Sequence, residues 1–187
     1  MTMDLTPTPS QTAGPFFHLG LTDSGSVSRV AREGAKGERL WLTFRLFDGD
    51  GLPVPDGVIE LWQADSEGNY KDGRAADGAF SGFGRLATSE DGSCTFETIR
   101  PGRVPGPGNT LQAPHINVSV FARGLLKRLS TRVYFAGDAA NAEDYVLALV
   151  PEHRRATLFA RPDPVRERGW IQEIRMRGEG ETVFFDV

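Results

Sequence analysis

Residues 84–99 read Gly84-Arg-Leu-Ala-Thr-Ser-Glu-Asp-Gly-Ser-Cys-Thr-Phe-Glu-Thr-Ile99. Two runs with alternating apolar side chains flank the turn Glu90-Asp-Gly92, and Asp-Gly is a dipeptide that tight hairpin turns favour. Because successive side chains of a strand point to opposite faces, each run would bury one face only. The segment therefore predicts a β-hairpin and, with it, a fold built from strands.

The same alternation recurs on both sides of this segment. Helical spacing is confined to residues 141–149, with a further turn at 155–159, and residues 100–113 are so rich in Pro and Gly that they predict a long loop. The other predicted strands cover residues 40–46, 58–63, 116–121, 131–135, 170–177 and 182–187.

These elements predict an all-β, single-domain β-sandwich over residues 40–187, with one or two short helices. Residues 1–39 are polar and are interrupted by prolines and glycines, so they cannot form much core by themselves. We expect them to form an extended N-terminal arm that packs on a partner chain.

Composition excludes several function classes. The 187 residues carry a net charge of −4 without a basic cluster, which argues against nucleic acid or an anionic membrane as a partner. The N-terminus has no leader-like apolar run, and the longest apolar stretch, residues 145–150, is too short to cross a bilayer. We expect a soluble, cytoplasmic protein. The single cysteine, Cys94, lies in a strand pattern and is predicted to be a buried thiol.

No complete catalytic motif is present. The three histidines, His18, His115 and His153, are far apart in sequence. His115 and Asn117 occupy the two positions of a possible His-x-His metal pair, but an amide binds transition metals poorly. Taken alone, His115 is better read as a hydrogen-bonded structural residue, and Tyr70 as an aromatic at a strand end. Acidic residues beside glycines, such as Asp48 and Asp91, are predicted to form turns.

Several segments resemble the intradiol ring-cleavage dioxygenases, and in particular the non-catalytic α chains of members built from α and β chains. The resemblance is carried by residues 8–16, 61–65, 83–85, 113–117, 121–124, 131–135 and 178–185. In the catalytic chains of that family two tyrosines and two histidines hold ferric iron.

The resemblance implies which of these ligands remain. Tyr70 and His115 match a tyrosine and a histidine, whereas Val104 and Asn117 stand in place of the other two ligands. Gln112 replaces an arginine that precedes the histidine pair. The resemblance thus implies that this chain binds no metal, that it is inactive alone, and that Fe(III) lies on a partner β chain.

The resemblance also implies a substrate-pocket role. Thr12, Gly14 and Pro15 of the arm would approach the substrate, and Arg132 would face its carboxylate. The implied reaction is O2-dependent cleavage of 3,4-dihydroxybenzoate, in aromatic catabolism, within a large α–β hetero-oligomer. Two alternatives stay open: a purely structural subunit of that assembly, and a free-standing β-sandwich that binds a ligand. For Arg132, the alternative is an ordinary surface ion pair.

Overall fold

The computed structural model describes residues 7–14, 16–23, 25–70 and 78–186. Ten strands and three short α-helices are present in this part of the chain. The strands are β1 (Arg39–Phe47), β2 (Val58–Gln63), β3 (Phe83–Ala87), β4 (Ser93–Ile99), β5 (Val104–Pro105), β6 (Leu111–Gln112), β7 (His115–Phe121), β8 (Leu129–Phe135), β9 (Phe159–Pro162) and β10 (Gly169–Arg175). The helices are α1 (Phe16–His18), α2 (Tyr145–Leu149) and α3 (Glu152–Arg155).

Eight strands form a sheet that folds back on itself in the order β3-β2-β7-β8-β9-β10-β1-β4. One half contains β3, β2, β7 and β8, and the other contains β10, β1 and β4. Strand β9 joins the two halves, because it pairs in parallel with β8 and antiparallel with β10. The halves face each other across one apolar core, so the predicted all-β, sandwich-like class is confirmed. In β1, Leu40, Leu42, Phe44 and Leu46 all point into this core and are at most 1% exposed.

The predicted hairpin over residues 84–99 is wrong in its pairing. Both strands and the turn exist, but β3 pairs with β2 while β4 pairs with β1, so the turn carries the chain from one half of the sheet to the other. Residues of the arm lie between the two edges: Val27 bridges Arg85 of β3, and Arg29 bridges Glu97 of β4. The edge hydrogen bonds that a hairpin would use are therefore taken by a segment distant in sequence.

The end of the arm nearest the sandwich, residues 27–31, packs into the core of its own chain. Val30 and Ala31 are fully buried there. Gly84 permits this close packing, because a Cβ at that position would lie 2.8 Å from the Phe96 ring and 2.9 Å from Val30. Packing of the first part of the arm, which includes residues 12–15 and is called the proximal arm below, on a partner chain stays a prediction.

Other departures from the predicted elements are local. Residues 182–186 form no strand, so that prediction is wrong there, although Phe185 N donates to Ser130 O at 2.8 Å. The predicted loop over residues 100–113 contains the small β5–β6 ladder, and β9 was not predicted. The helical segments at 141–149 and 155–159 are present as α2, α3 and flanking 3-10 turns. No helix of the described residues is both long and apolar enough to cross a membrane.

Candidate functional site

The register of β7 and β8 brings the principal candidate residues together. His115 lies opposite Tyr134, and Asn117 lies opposite Arg132. The i, i+2 spacing puts His115 and Asn117 on one face of β7, as the sequence indicated. Tyr70, which follows the turn after β2, reaches the same point, and its ring stacks on Trp62 with centroids 6.1 Å apart. Nothing local in the sequence around Tyr70 signals this position.

A chain of hydrogen bonds joins the three residues. His115 Nδ1 lies 2.8 Å from Ala113 O, and since a carbonyl can only accept, Nδ1 carries the proton. Nε2 is then an acceptor, and the Tyr70 hydroxyl lies 3.4 Å from it. Asn117 Nδ2 in turn donates to the Tyr70 oxygen at 3.0 Å. The lone pair that a metal would need on His115 therefore faces a phenol.

Burial keeps this cluster neutral. Desolvation lowers the pKa of His115 to about 4, and the positive charge of Arg132 acts in the same direction. Desolvation also raises the pKa of Tyr70 above its usual value, against smaller opposing effects of Asn117 and Arg132. At neutral pH His115 is thus an uncharged imidazole and Tyr70 a protonated phenol.

Val104, which the resemblance places at a ligand position, offers no donor atom. Val104 is a buried hydrocarbon side chain in β5, where it pairs with Gln112 of β6. Gln112 Oε1 accepts from Arg132 Nη1 at 2.8 Å, so this side chain helps to hold the guanidinium. The described residues contain no cluster of three or more His, Cys, Asp or Glu that could hold a metal ion. One imidazole, one phenol and an amide, with a hydrocarbon at Val104, are too few suitable donors for ferric iron, which prefers anionic oxygen ligands.

Asp144 organises this region and was not identified from the sequence. It is 2% exposed, and its Oδ2 accepts from the backbone N of Ala113 at 2.8 Å. Its Oδ1 caps α2 by accepting from Val146 N and Leu147 N, and it also accepts from the Tyr134 hydroxyl at 3.3 Å. An Asp directly before an apolar helix is a recognisable N-cap signal. No local sequence pattern predicts the contact of its Oδ2 with Ala113 N, which positions the chain as it enters β7.

Arg132 and Asn117 line an open cleft of about 440 Å³ on the outer face of the sheet. We call it the Arg132 cleft. Its polar floor is flanked by the rings of Trp62, Phe83 and Phe185. The described partners of the Arg132 guanidinium are Gln112 and the Tyr134 hydroxyl, and neither is a carboxylate.

The arm residues line a second cleft of about 420 Å³, together with Phe121, Leu125 and Leu126. We call it the arm cleft. Thr12 Oγ1 accepts from Gly124 N at 2.7 Å, and Gly14 lies in the same wall. Pro15 lies outside the described residues. The structure does not bring Thr12 and Gly14 beside Arg132, but Arg128 lines both clefts.

The remaining candidates are structural. Cys94 is buried, as predicted, and burial raises the pKa of its thiol to about 12. Asp48 Oδ1 accepts from the backbone N of Asp50 and Leu52, and Asp91 Oδ1 accepts from Ser93 N, which confirms their turn roles.

The sequence model of the dioxygenase family matches residues 12–178 of the chain. A protocatechuate 3,4-dioxygenase alpha chain of Pseudomonas putida is 44% identical over the full length of both chains. The chain belongs to the intradiol ring-cleavage dioxygenases. Within this dioxygenase family, a protocatechuate 3,4-dioxygenase beta chain of Burkholderia cepacia is 34% identical over 88% of this chain and 75% of its own length.

A solved dioxygenase structure supports the fold. The dioxygenase domain of a dioxygenase carbohydrate-binding protein fusion from Streptomyces sp. SirexAA-E superposes with a TM-score of 0.64 at 26% identity, covering 92% of this chain and 99% of that domain. The dioxygenase fold is thus retained in this chain.

Proposed function

We propose that this chain is the alpha subunit of a protocatechuate 3,4-dioxygenase, and that a beta chain paired with it holds the ferric iron. The observation that carries this is the donor set at the β7 cluster. Tyr70, His115 and Asn117 satisfy one another by hydrogen bonds, and Val104 contributes no donor. A chain similar over its full length to alpha chains, with such a site, suits a partner role better than an independent catalytic one.

The ring cleavage then takes place on the beta chain, where iron would supply the activation of the catechol and dioxygen. The product from 3,4-dihydroxybenzoate would be 3-carboxy-cis,cis-muconate. This chain contributes by binding: it complements the substrate carboxylate and helps exclude water from the neighbouring site.

Arg132 is the residue proposed to face the carboxylate. Its guanidinium has five N–H donors, of which some are used by Gln112 and by the Tyr134 hydroxyl. The remaining donors can address a carboxylate directly or through water, and the guanidinium stays charged at any relevant pH. The Gln112 contact holds the planar group in one orientation.

The proximal arm is proposed to contact the substrate through Thr12, Gly14 and Pro15. Gly14 is exposed, and a Cβ built on it would meet no atom within 4 Å. Its backbone is therefore open to a close approach by a ligand or a partner chain. Thr12 is fixed by Gly124, which gives the arm a defined position.

The experiment is co-expression with a protocatechuate dioxygenase beta chain, followed by oxygen uptake with 3,4-dihydroxybenzoate. Arg132→Ala should raise KM by about tenfold, or roughly 1–2 kcal/mol for a partly screened charge contact. Arg161→Ala is the matched control, because Arg161 is an exposed arginine of β9 in a different cleft. Unchanged kinetics for Arg132→Ala would remove this residue from the site.

Two further measurements separate the alternatives. Deleting residues 1–15 should abolish most activity while the complex stays assembled, whereas retained activity would support a purely structural subunit. Size-exclusion chromatography of the chain expressed alone tests independence. A stable monomer that binds ligands without a beta chain would support a free-standing module.

A further inference from the structure

Arg128 stands at the boundary of the two clefts. It is exposed, directly precedes β8, and lines both the Arg132 cleft and the arm cleft. Because side chains alternate along a strand, Arg128, Ser130 and Arg132 share one face, opposite the buried Thr131. The rise of about 3.3 Å per residue separates the first and last of them by roughly 13 Å.

Polar groups continue between the two arginines. Ser130 lies opposite Ser119, as Arg132 lies opposite Asn117, and all four line the Arg132 cleft. These polar side chains form the floor of the cleft. They make a row that begins at Arg128, beside the arm, and ends at Arg132. Aromatic rings of Trp62, Phe83 and Phe185 stand along it. A planar aromatic acid fits such a surface, with its carboxylate on the row and its ring against the walls.

The charges along the row favour an anion. Within the part of the chain that the structure describes, the Arg128 side chain forms no ion pair or hydrogen bond. Glu60, the acidic residue of the same cleft, is bonded to Arg85 at 2.6 Å, so its charge is offset. Lys127 adds a second exposed cation on the arm side.

We propose that Arg128 is a steering residue that guides the carboxylate of an aromatic acid from the arm cleft toward Arg132. It acts on association and on the preference for carboxylated catechols, and not on the chemical step. This inference rests on the proposed function, since it assumes that the substrate of the assembled enzyme passes this surface.

The test uses the complex with a beta chain, assayed with 3,4-dihydroxybenzoate and with the uncharged 4-methylcatechol at low and high salt. Arg128→Gln should lower kcat/KM for the acid by about threefold or more at low salt, with kcat unchanged, because steering by exposed charges acts on association. The loss should shrink at 0.5 M salt, where the screening length falls to about 4 Å. Arg128→Lys should restore most of the rate, and 4-methylcatechol should be unaffected.

The matched control is Arg161→Gln, which removes the same charge from a different cleft and should leave kcat/KM at the wild-type value. Equal losses for both substrates, or no loss for either, would overturn the steering role. So would altered sedimentation of the Arg128→Gln complex, which would make Arg128 a subunit contact. A wild-type complex without ring cleavage would instead contradict the proposed function itself.

Discussion

Replacing Asp144 by Asn tests how the fold holds the β7 cluster. The carboxylate accepts from Ala113 N with one oxygen, and from Val146 N, Leu147 N and the Tyr134 hydroxyl with the other. An amide has a single oxygen, so in either orientation an NH2 group faces a buried N–H donor. One unsatisfied buried donor costs about 1–3 kcal/mol, and lost charge assistance adds to it, so we expect about 2–3 kcal/mol for Asp144→Asn.

Asp144→Ala also removes the helix cap, and we expect about 4 kcal/mol for this variant. For a chain of this size, the Asn variant should lower Tm by roughly 4–12 °C. The assay is thermal unfolding of this chain purified alone, checked by urea unfolding of the same sample. Asp163→Asn is the control, since its Oδ1 accepts only from Val165 N in an exposed loop. A Tm of Asp144→Asn within about 1 °C of wild type, hence well under 1 kcal/mol, would refute this reasoning.

Three other perturbations follow from the buried groups. Because the pKa of His115 falls from 6.5 to about 4 on folding, the unfolded chain binds a proton between these values that the folded chain does not. The free energy of unfolding should therefore drop by up to about 3 kcal/mol as pH falls through this window. The drop should be smaller in His115→Gln, and equal pH profiles of stability for the variant and the wild type would contradict this prediction. Cys94, whose thiol pKa is about 12, should react with a disulfide reagent at pH 8 only after denaturation, so rapid labelling of native protein would be inconsistent with its burial. Gly84→Ala should cost about 1–3 kcal/mol through contact with Phe96 and Val30, whereas Gly20→Ala, with open space around it, should be neutral in the same unfolding assay.

Most strands could be predicted because their cause is local. Alternating apolar residues such as Leu40, Leu42 and Phe44 bury one face of β1, and this pattern is visible in the sequence. Which strands pair with each other is not decided by local sequence. The turn Glu90-Asp-Gly92 has hairpin chemistry, but Val27 and Arg29 take the adjoining edges, and only the folded chain reveals that competition.

The candidate site shows the same division. The alternation of His115 and Asn117 predicted a shared face, which the structure confirms. Tyr70 joins them from another part of the chain, and its position was available only through the resemblance to intradiol dioxygenases. Two other features could not be predicted, because they depend on contacts between elements distant in sequence. They are the hydrogen bond from Ala113 N to Asp144 Oδ2 and the position of Arg128 between the two clefts.

Iron content of the α–β complex, measured with and without a His115→Gln substitution in this chain, shows which of the two chains holds the iron. His115 is the strongest remaining metal donor here, yet it is neutral, buried and bonded to Tyr70 and Ala113. We expect about one ferric ion per α–β pair, with unchanged iron and unchanged tyrosinate absorbance in the variant. Loss of about half the iron in His115→Gln, or near-stoichiometric ferric iron in this chain purified alone, would contradict it.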